Sequence, residues 1–489
     1  MSTLEKMYDH MPIFMQNIMC SVQGYINDFS RYGKAYYAER DFLKDFDTWA
    51  YERKLEYQRK ALVDFLHYAV DHSLFYKRLY EGIDIDSIST IHDLKRLPIV
   101  DKEMLRSNID EVVTIPRKGA VVGHTGGTTG TSLVVFSTKE DMMKRMAMLD
   151  HFKARVGFEH RVMKRATFNG KHIVPPAQTK KVFWRYNAAC KQMIFSSFNL
   201  SQDNLKYYVD ELNRFKPDAL DGFFMAMCDI ADYIERNNLN LEFSPIAIFP
   251  TSETLTPDGR ELLERVFKCK VYDQYASSEG AQFIAECINQ VKHIELSSGV
   301  FEHLDDSDEV LVTSFTTHGT PLIRYRIGDR MRFDGMESFC LCHLHSPEVS
   351  SIEGRRLDFL YSVTGAKITT VNMANMIKNI PNAIIHVQFI QNEIGKILML
   401  LEVGDNFKGE YLDVLKSEFY HRFGEGTSLE IIMVDEIPRA DSGKYRMVIN
   451  NCVNDTFLPK TIRGGQKQHD GKGCLNKDFE GQNPASPEE

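Results

Sequence analysis

No uninterrupted apolar run in this chain comes near the roughly 18 residues that a membrane-spanning helix needs, so no span is expected. There is no basic excess either. Lys and Arg number 59 against 68 Asp and Glu, a net charge of −9, which argues against a nucleic-acid partner. The first residues include acidic Glu5 and Asp9, with no apolar run closed by small residues, so a secretory signal is not expected. The nine cysteines are scattered and odd in number, which fits a reducing, cytoplasmic setting better than a disulfide framework. Internal repeats and a carrier-protein domain are absent from the pattern. What remains is 489 residues, 43% hydrophobic and 26% charged, enough for two or three globular cores.

The most informative segment is His124-Thr125-Gly126-Gly127-Thr128-Thr129-Gly130-Thr131-Ser132. Three glycines within five positions let the backbone turn tightly and present N–H groups to an anion, and Thr125, Thr128 and Thr129 add hydroxyl donors. Apolar Val121-Val122 precedes it and Leu133 to Phe136 follows, so the pattern is a phosphate-binding loop between two strands. No Gly-Lys-Ser/Thr follows the glycines, which excludes a Walker loop. The plain alternative is a polar hairpin turn.

The first 110 residues look helical, with Leu62, Phe65, Leu66, Ala69 and Val70 on one face. Thr90 and Asp93 form a capping-box pattern for a helix ended by Pro98. Downstream, helices and short apolar strands alternate. Ser201 caps a helix with Leu205, Tyr208, Val209 and Leu212 inward. Ile246 to Phe249 reads as a buried strand, Leu255 to Phe267 as a helix and Val310 to Val312 as another strand. That alternation predicts a multidomain α/β protein with a parallel or mixed sheet. The large N-terminal unit is expected to span 1–354. A small α+β unit is expected over 355–460, with strands at Ile384–Ile390, Ile397–Val403 and Leu429–Val434 and a helix at Tyr411–Phe423. Residues 461–489 hold five glycines and two prolines but three large apolar side chains, so they are expected to be disordered.

Four further segments carry chemistry: Ser252-Glu253-Thr254-Leu255, Tyr275-Ala276-Ser277-Ser278-Glu279-Gly280, Arg324 to Asp329, and Pro438 to Lys444. With the loop they form an ordered series that resembles the adenylate-forming superfamily, and within it the phenylacetate–CoA ligase and CapK-like (capsular polysaccharide biosynthesis) branch. The resemblance runs from the helices around Tyr57, Phe75-Tyr76 and Leu97-Pro98-Ile99, through Phe215-Lys216-Pro217, to the C-terminal lysine.

The resemblance implies joining of a carboxylate to the α-phosphate of ATP, release of pyrophosphate and acyl transfer to an acceptor. Thr125, Gly126, Gly127, Thr128, Thr129 and Gly130 would cradle the phosphates. Glu279 would bind Mg²⁺, a hard cation that wants oxygen ligands. Ser278 would meet the α-phosphate, Tyr275 the adenine, Asp329 the ribose hydroxyls and Arg355 the ribose or phosphate, with Glu253 also among the nucleotide-binding residues. Lys444, on a C-terminal domain that swings near Asp358, would stabilise charge during adenylation. Ala276, Gly126-Gly127 and Leu357 depart from the branch's usual residues. Each position also has an ordinary reading: Glu279 as a helix cap, Asp329 as a turn residue, Lys444 as a surface lysine.

Cys340 and Cys342, with His343 and His345 beside them and Cys287 and His293 upstream, offer a tetrahedral donor set. The branch can carry a structural zinc in this region. The resemblance implies Cys287, His293, Cys340 and Cys342 as ligands, with His343 or His345 as alternative imidazoles.

The expected activity is therefore that of an ATP- and Mg²⁺-dependent ligase forming an acyl-adenylate, with CoA as the first acceptor to consider. A CapK-like transfer to a sugar or amine is the alternative, and a catalytically silent nucleotide-binding homologue is a third reading. Phe168, Phe195 and Phe223-Phe224 could line an acid pocket or belong to the core. The oligomeric state stays open, a homodimer included.

Overall fold

The computed structural model describes the chain except residues 1–6, 89, 126–132, 176–177, 305–306, 334–339, 354–357, 378–379, 381–382, 405, 438–445 and 453–489. The expectations on Gly126 to Ser132, Arg355, Lys444 and the tail lie outside the described residues.

The chain begins, as expected, with helices: α1 (Ile13–Arg31), α2 (Lys34–Asp47) and α3 (Tyr51–His72), then short turns of helix up to Val112. On α3, Leu62, Phe65, Leu66 and Ala69 are buried, as the spacing predicts, and Val70 packs at the edge of the same cluster. Thr90 and Asp93 do close a capping box, but the element they start is a short 3₁₀ helix, Ile91–Arg96. The Leu97-Pro98 step ends it there, because the residue before proline avoids the helical region.

Strands β1 (Val121–His124) and β2 (Val134–Ser137) pair antiparallel and carry the glycine loop between them. Helix α4 (Lys139–Arg155) follows. A six-stranded sheet is then built from β3 (Arg165–Asn169), β4 (Trp184–Asn187), β5 (Gln192–Ser196), β6 (Ala219–Phe223), β7 (Ala247–Thr251) and β8 (Lys270–Val271). Its order is β4-β5-β3-β6-β7-β8, parallel except for the edge strand β4. Helices α5 (Gln202–Phe215), α6 (Phe224–Arg236) and α7 (Pro257–Phe267) connect its strands. The inward face of α5 is Leu205, Tyr208, Val209 and Leu212, as predicted. Ser201 stands at its N-cap but makes no side-chain capping bond. The expected strand at Ile246 begins one residue later, and Ile246 itself is exposed.

A three-stranded sheet of β9 (Gln274–Tyr275), β10 (Ile284–Glu286) and β11 (Lys292–Ile294) lies beside an antiparallel sheet. The latter runs in order through β12 (Gly299–His303), β13 (Glu309–Ser314), β14 (Leu322–Phe333) and β15 (Val349–Glu353). The C-terminal part opens with a hairpin, β16 (Phe359–Tyr361) and β17 (Lys367–Thr369), leading into α8 (Thr370–Ile377). It then forms its own sheet from β18 (Ile384–Glu393), β19 (Lys396–Val403), β20 (Ser428–Met433) and β21 (Val448–Asn450), with α9 (Glu410–Phe423) crossing between β19 and β20. Its core joins Val387, Phe389, Met399 and Leu401 to Leu415 and Phe419, and it also takes in Phe198 from the larger unit. Among the described residues no helix is long and apolar enough to cross a membrane.

Candidate functional site

The glycine loop is held at its neck by a residue that the sequence reading placed among the phosphate donors. Thr125 is buried. Its amide donates to the Leu133 carbonyl at 3.0 Å, and its hydroxyl accepts from the Leu133 amide at 2.9 Å. The side chain thus closes the two ends of the loop on each other. Beside this neck runs the turn after Tyr275: a Cβ added at Gly123 would stand 3.8 Å from the Ser278 carbonyl. Ser278 is exposed and Glu279 half-buried. The chain continues from them into β10, not into a helix, which removes the helix-cap reading of Glu279.

Gly280 has φ of +93°, and a Cβ there would meet the Arg145 guanidinium at 2.4 Å. The turn therefore needs glycine both for its backbone and for its space. Arg145, on α4, was not singled out from sequence. It lies under this turn and donates to Ser137 at the end of β2 (2.6 Å), tying the Ser278-Glu279 turn to the strand that leaves the loop. Its burial holds the guanidinium below its usual range. No pattern marks an arginine in mid-helix for such a role.

Tyr275 and Asp329, 54 residues apart, meet directly: the Tyr275 hydroxyl donates to Asp329 Oδ2 at 2.7 Å. Asp329 follows Gly328, whose φ of +82° bends β14 at that point. Buried Tyr325 lies in the field of both Glu279 and Asp329. Burial, and then those carboxylates with Asp101, push its hydroxyl pKa up. Glu279 makes no ion pair or hydrogen bond among the described residues, which leaves an acidic, half-exposed oxygen donor of the kind a hard cation takes.

Glu253 faces elsewhere. Its carboxylate accepts from the Met225 amide at 2.8 Å, the first turn of α6, where helix N–H groups lack partners. Desolvation of the inward-turned carboxyl group pushes its pKa up to about 7. The adjoining Ser252 has φ of +67°, so the loop after β7 is sharply bent while its glutamate is turned inward. Phe168, Phe195 and Phe224 are core residues; Phe168 stacks on Phe195 with ring centroids 5.0 Å apart. Phe223 alone of that set reaches a narrow cleft of ≈ 10 Å³ beyond the carboxyl ends of β3 and β6, where β17 and α8 of the C-terminal part supply Lys367, Thr369 and Asn372. Asn372 is buried there with neither amide atom hydrogen-bonded.

The second constellation converges fully. Sγ of Cys287, Cys340 and Cys342 and a ring nitrogen of His293 lie within 4.8 Å of one another. Cys287 and Cys340 are 3.5 Å apart, and Cys342 is 3.3 Å from His293 Nε2. His293 Nδ1 lies 3.0 Å from the Ser346 carbonyl, which fixes Nδ1 as the protonated nitrogen and aims Nε2 at the thiols. Burial foremost, with the neighbouring thiols, pushes Cys342 up to about 12. His343 and His345 stay exposed and outside this group. Three thiols and one oriented imidazole match the tetrahedral donor set that a structural zinc takes.

Comparison with known proteins defines the class first. 2-Hydroxyisobutyryl-CoA ligase in complex with 2-HIB-AMP and CoA in the thioesterification state superposes with a TM-score of 0.53. Identity is 18%, covering 83% of this chain and 91% of that one. The same ligase in the postadenylation state with R3-HIB-AMP gives 0.52 at 16% identity, covering 82% and 90%. The fold is that of the adenylate-forming enzymes. Within that class, Protein CapK of Staphylococcus aureus is 37% identical over 453 residues, 92% of this chain and 99% of the relative. The CapK C-terminal domain model matches residues 360–451. The chain belongs to the CapK family.

Proposed function

We propose that this protein adenylates a carboxylic acid. The acid's oxygen attacks the α-phosphorus of ATP, the bond from that phosphorus to the oxygen bridging to the β-phosphate breaks, and pyrophosphate leaves. An acceptor then takes the acyl group and AMP departs. The observation that carries this reading is the meeting of Tyr275 with Asp329 beside the Ser278-Glu279 turn and the neck of the glycine loop. Those elements come from three separate stretches of sequence, and an ordinary set of turns has no reason to bring them together.

In this reading Asp329 takes the ribose hydroxyls, Tyr275 lies along the adenine, Ser278 meets the α-phosphate, and the backbone of Gly126 to Gly130 holds the outer phosphates. Glu253 serves by fixing the bent loop after β7. Glu279 holds Mg²⁺, which neutralises phosphate charge. Arg355 and Lys444 complete the site from the linker and the C-terminal part. Zinc in the Cys287, His293, Cys340 and Cys342 cluster is structural, because four protein ligands leave no position for a reactive water.

The first acceptor to test is CoA. Transfer to a sugar or amine is the second reading, favoured because the CapK relative is far closer in sequence than the CoA ligases. The test is carboxylate-dependent exchange of labelled pyrophosphate into ATP across aryl, aliphatic, hydroxy and amino acids. Exchange with one class of acid, falling by about 10²–10³ in Lys444→Ala, is the expected result. Absence of exchange with every class, with ATP still bound, would turn the reading to a silent homologue. Adding CoA, or candidate amines and sugars, then identifies the acceptor by which one releases AMP.

A further inference from the structure

Helix α1 is inside out. Its buried residues are Gln16, Gly24 and Asp28, and they dock on the edge strand β4 and the turn after it. Gln16 donates to the Tyr8 carbonyl (2.9 Å) and accepts from Arg185 (2.7 Å). Asn17 accepts from the Tyr186 amide, Ser21 accepts from the Ala188 amide, and Asp28 pairs with Arg161. Gly24 fits because a Cβ there would overlap the Asn187 side chain at 2.2 Å. The opposite side carries Phe14, Ile18, Val22, Tyr25 and Phe29, all exposed, with Phe29 at 90% and Phe14 at 65%. At 100° per residue these five fall within about a quarter of the helix circumference, and exposed Met15 and Ile26 border them. A helix normally buries its apolar stripe against its own core. Here the polar side is satisfied internally and the apolar side has no cover among the described residues.

We propose that this stripe is the surface on which two copies of the chain pair, α1 against α1, antiparallel about a two-fold axis near Val22. The area fits. Seven large side chains, exposed by about half or more on average, present on the order of 800 Å² per copy. That is more than the largest apolar patch of a typical monomer, and two such faces reach the size of a standard stable interface. The charge fits as well. Asp28 and Arg31 are the only charged residues in 13–31, and Asp28 is turned inward, so the stripe meets its own image with no like charges opposed. A two-fold axis at Val22 sets Phe14 opposite the partner's Phe29 and lets Ile18 and Tyr25 interleave. A lipid surface is the poorer occupant. Membrane-lying helices carry Lys and Arg on their polar face. The polar face of α1 is hidden against β4, and the chain's net charge of −9 opposes anionic headgroups.

The test is the mass of the full chain by light scattering after gel filtration, with and without Ile18→Glu plus Val22→Glu. The expected result is a dimer whose dissociation constant rises at least 100-fold in the double variant, with the circular dichroism spectrum of the fold unchanged because both positions are exposed in the single copy. Val162→Glu, an equally exposed apolar position off the stripe, leaves the dimer intact. Oxidative cross-linking is expected at Val22→Cys and not at Phe14→Cys, since an antiparallel pair separates the two copies of position 14. A monomeric wild type, or a dimer indifferent to the double variant, overturns the proposal. So does a monomer that floats with phosphatidylcholine–phosphatidylglycerol vesicles, which would give the stripe to lipid. Equal cross-linking at both positions overturns the antiparallel arrangement.

Discussion

The thiol–imidazole cluster and the Tyr275–Asp329 pair are both built on the short β9–β10–β11 sheet and the segments around β14, yet they are finished differently. At the cluster, four donors from the protein converge and a backbone carbonyl orients the one imidazole. At the pair, a tyrosine hydroxyl holds one carboxylate, while Glu279 nearby has no cation among the described residues. In the proposed reading the first holds one ion and no more, and the second needs a ligand to bring its charges together. On that reading the difference separates a structural centre from a reactive one, and it can be attacked from either side.

The largest effect belongs to the cluster. Cys340→Ser or Cys342→Ser, or removal of metal by a chelator, is expected to cost more than about 4 kcal/mol of stability and to abolish a stoichiometric zinc signal by plasma emission. If the protein as purified carries no metal and melts identically in the variants, the contrast between the two centres collapses.

Glu253 tests whether the carboxylate near the site is structural. Its pKa is raised to about 7 in the fold, so the native state holds a proton that the unfolded chain loses near pH 4.5. Stability from this group is therefore complete below the unfolded value and falls as pH rises towards 7. Across that window the loss is roughly 3 kcal/mol. Urea melts of Glu253→Gln should lack this slope, and a variant that keeps it would place the titration elsewhere.

At the nucleotide side, Asp329→Ala is expected to raise KM for ATP about 10- to 100-fold in pyrophosphate exchange, the worth of hydrogen bonds to one charged group. Tyr275→Phe removes the hydroxyl that orients that carboxylate and should cost about 1 kcal/mol, less than tenfold. Combined with Asp329→Ala, it should add little, because the two share one bond. Additive losses would mean that the pair does not act as a unit.

Local pattern was enough for the elements. The 3.6-residue spacing on α3 and α5 and the apolar run at β7 follow from burying one face, and each was legible before any fold was known. The ordered series from the glycine loop to Lys444 also stood in the sequence, because backbone turns and hydroxyl donors leave a signature in glycine, serine and threonine. Thr125 and Glu253 show where that legibility stops. Their residue types suit a nucleotide, but the direction of a side chain depends on what packs behind it, here the Leu133 backbone and the N-terminus of α6. Arg145 had no signature at all, since its role arises only where α4 passes under the Gly280 turn.

The sequence by itself determined the α/β class, the order of the nucleotide-binding segments and the identity of the sulfur donors. Chain chemistry and periodicity are local properties, and they survive without knowledge of neighbours. Only the tertiary structure chose His293 over His343 and His345, joined Tyr275 to Asp329, and turned α1 with its polar side inward. Those outcomes rest on contacts between residues far apart in the chain, which close packing fixes and no stretch of sequence records.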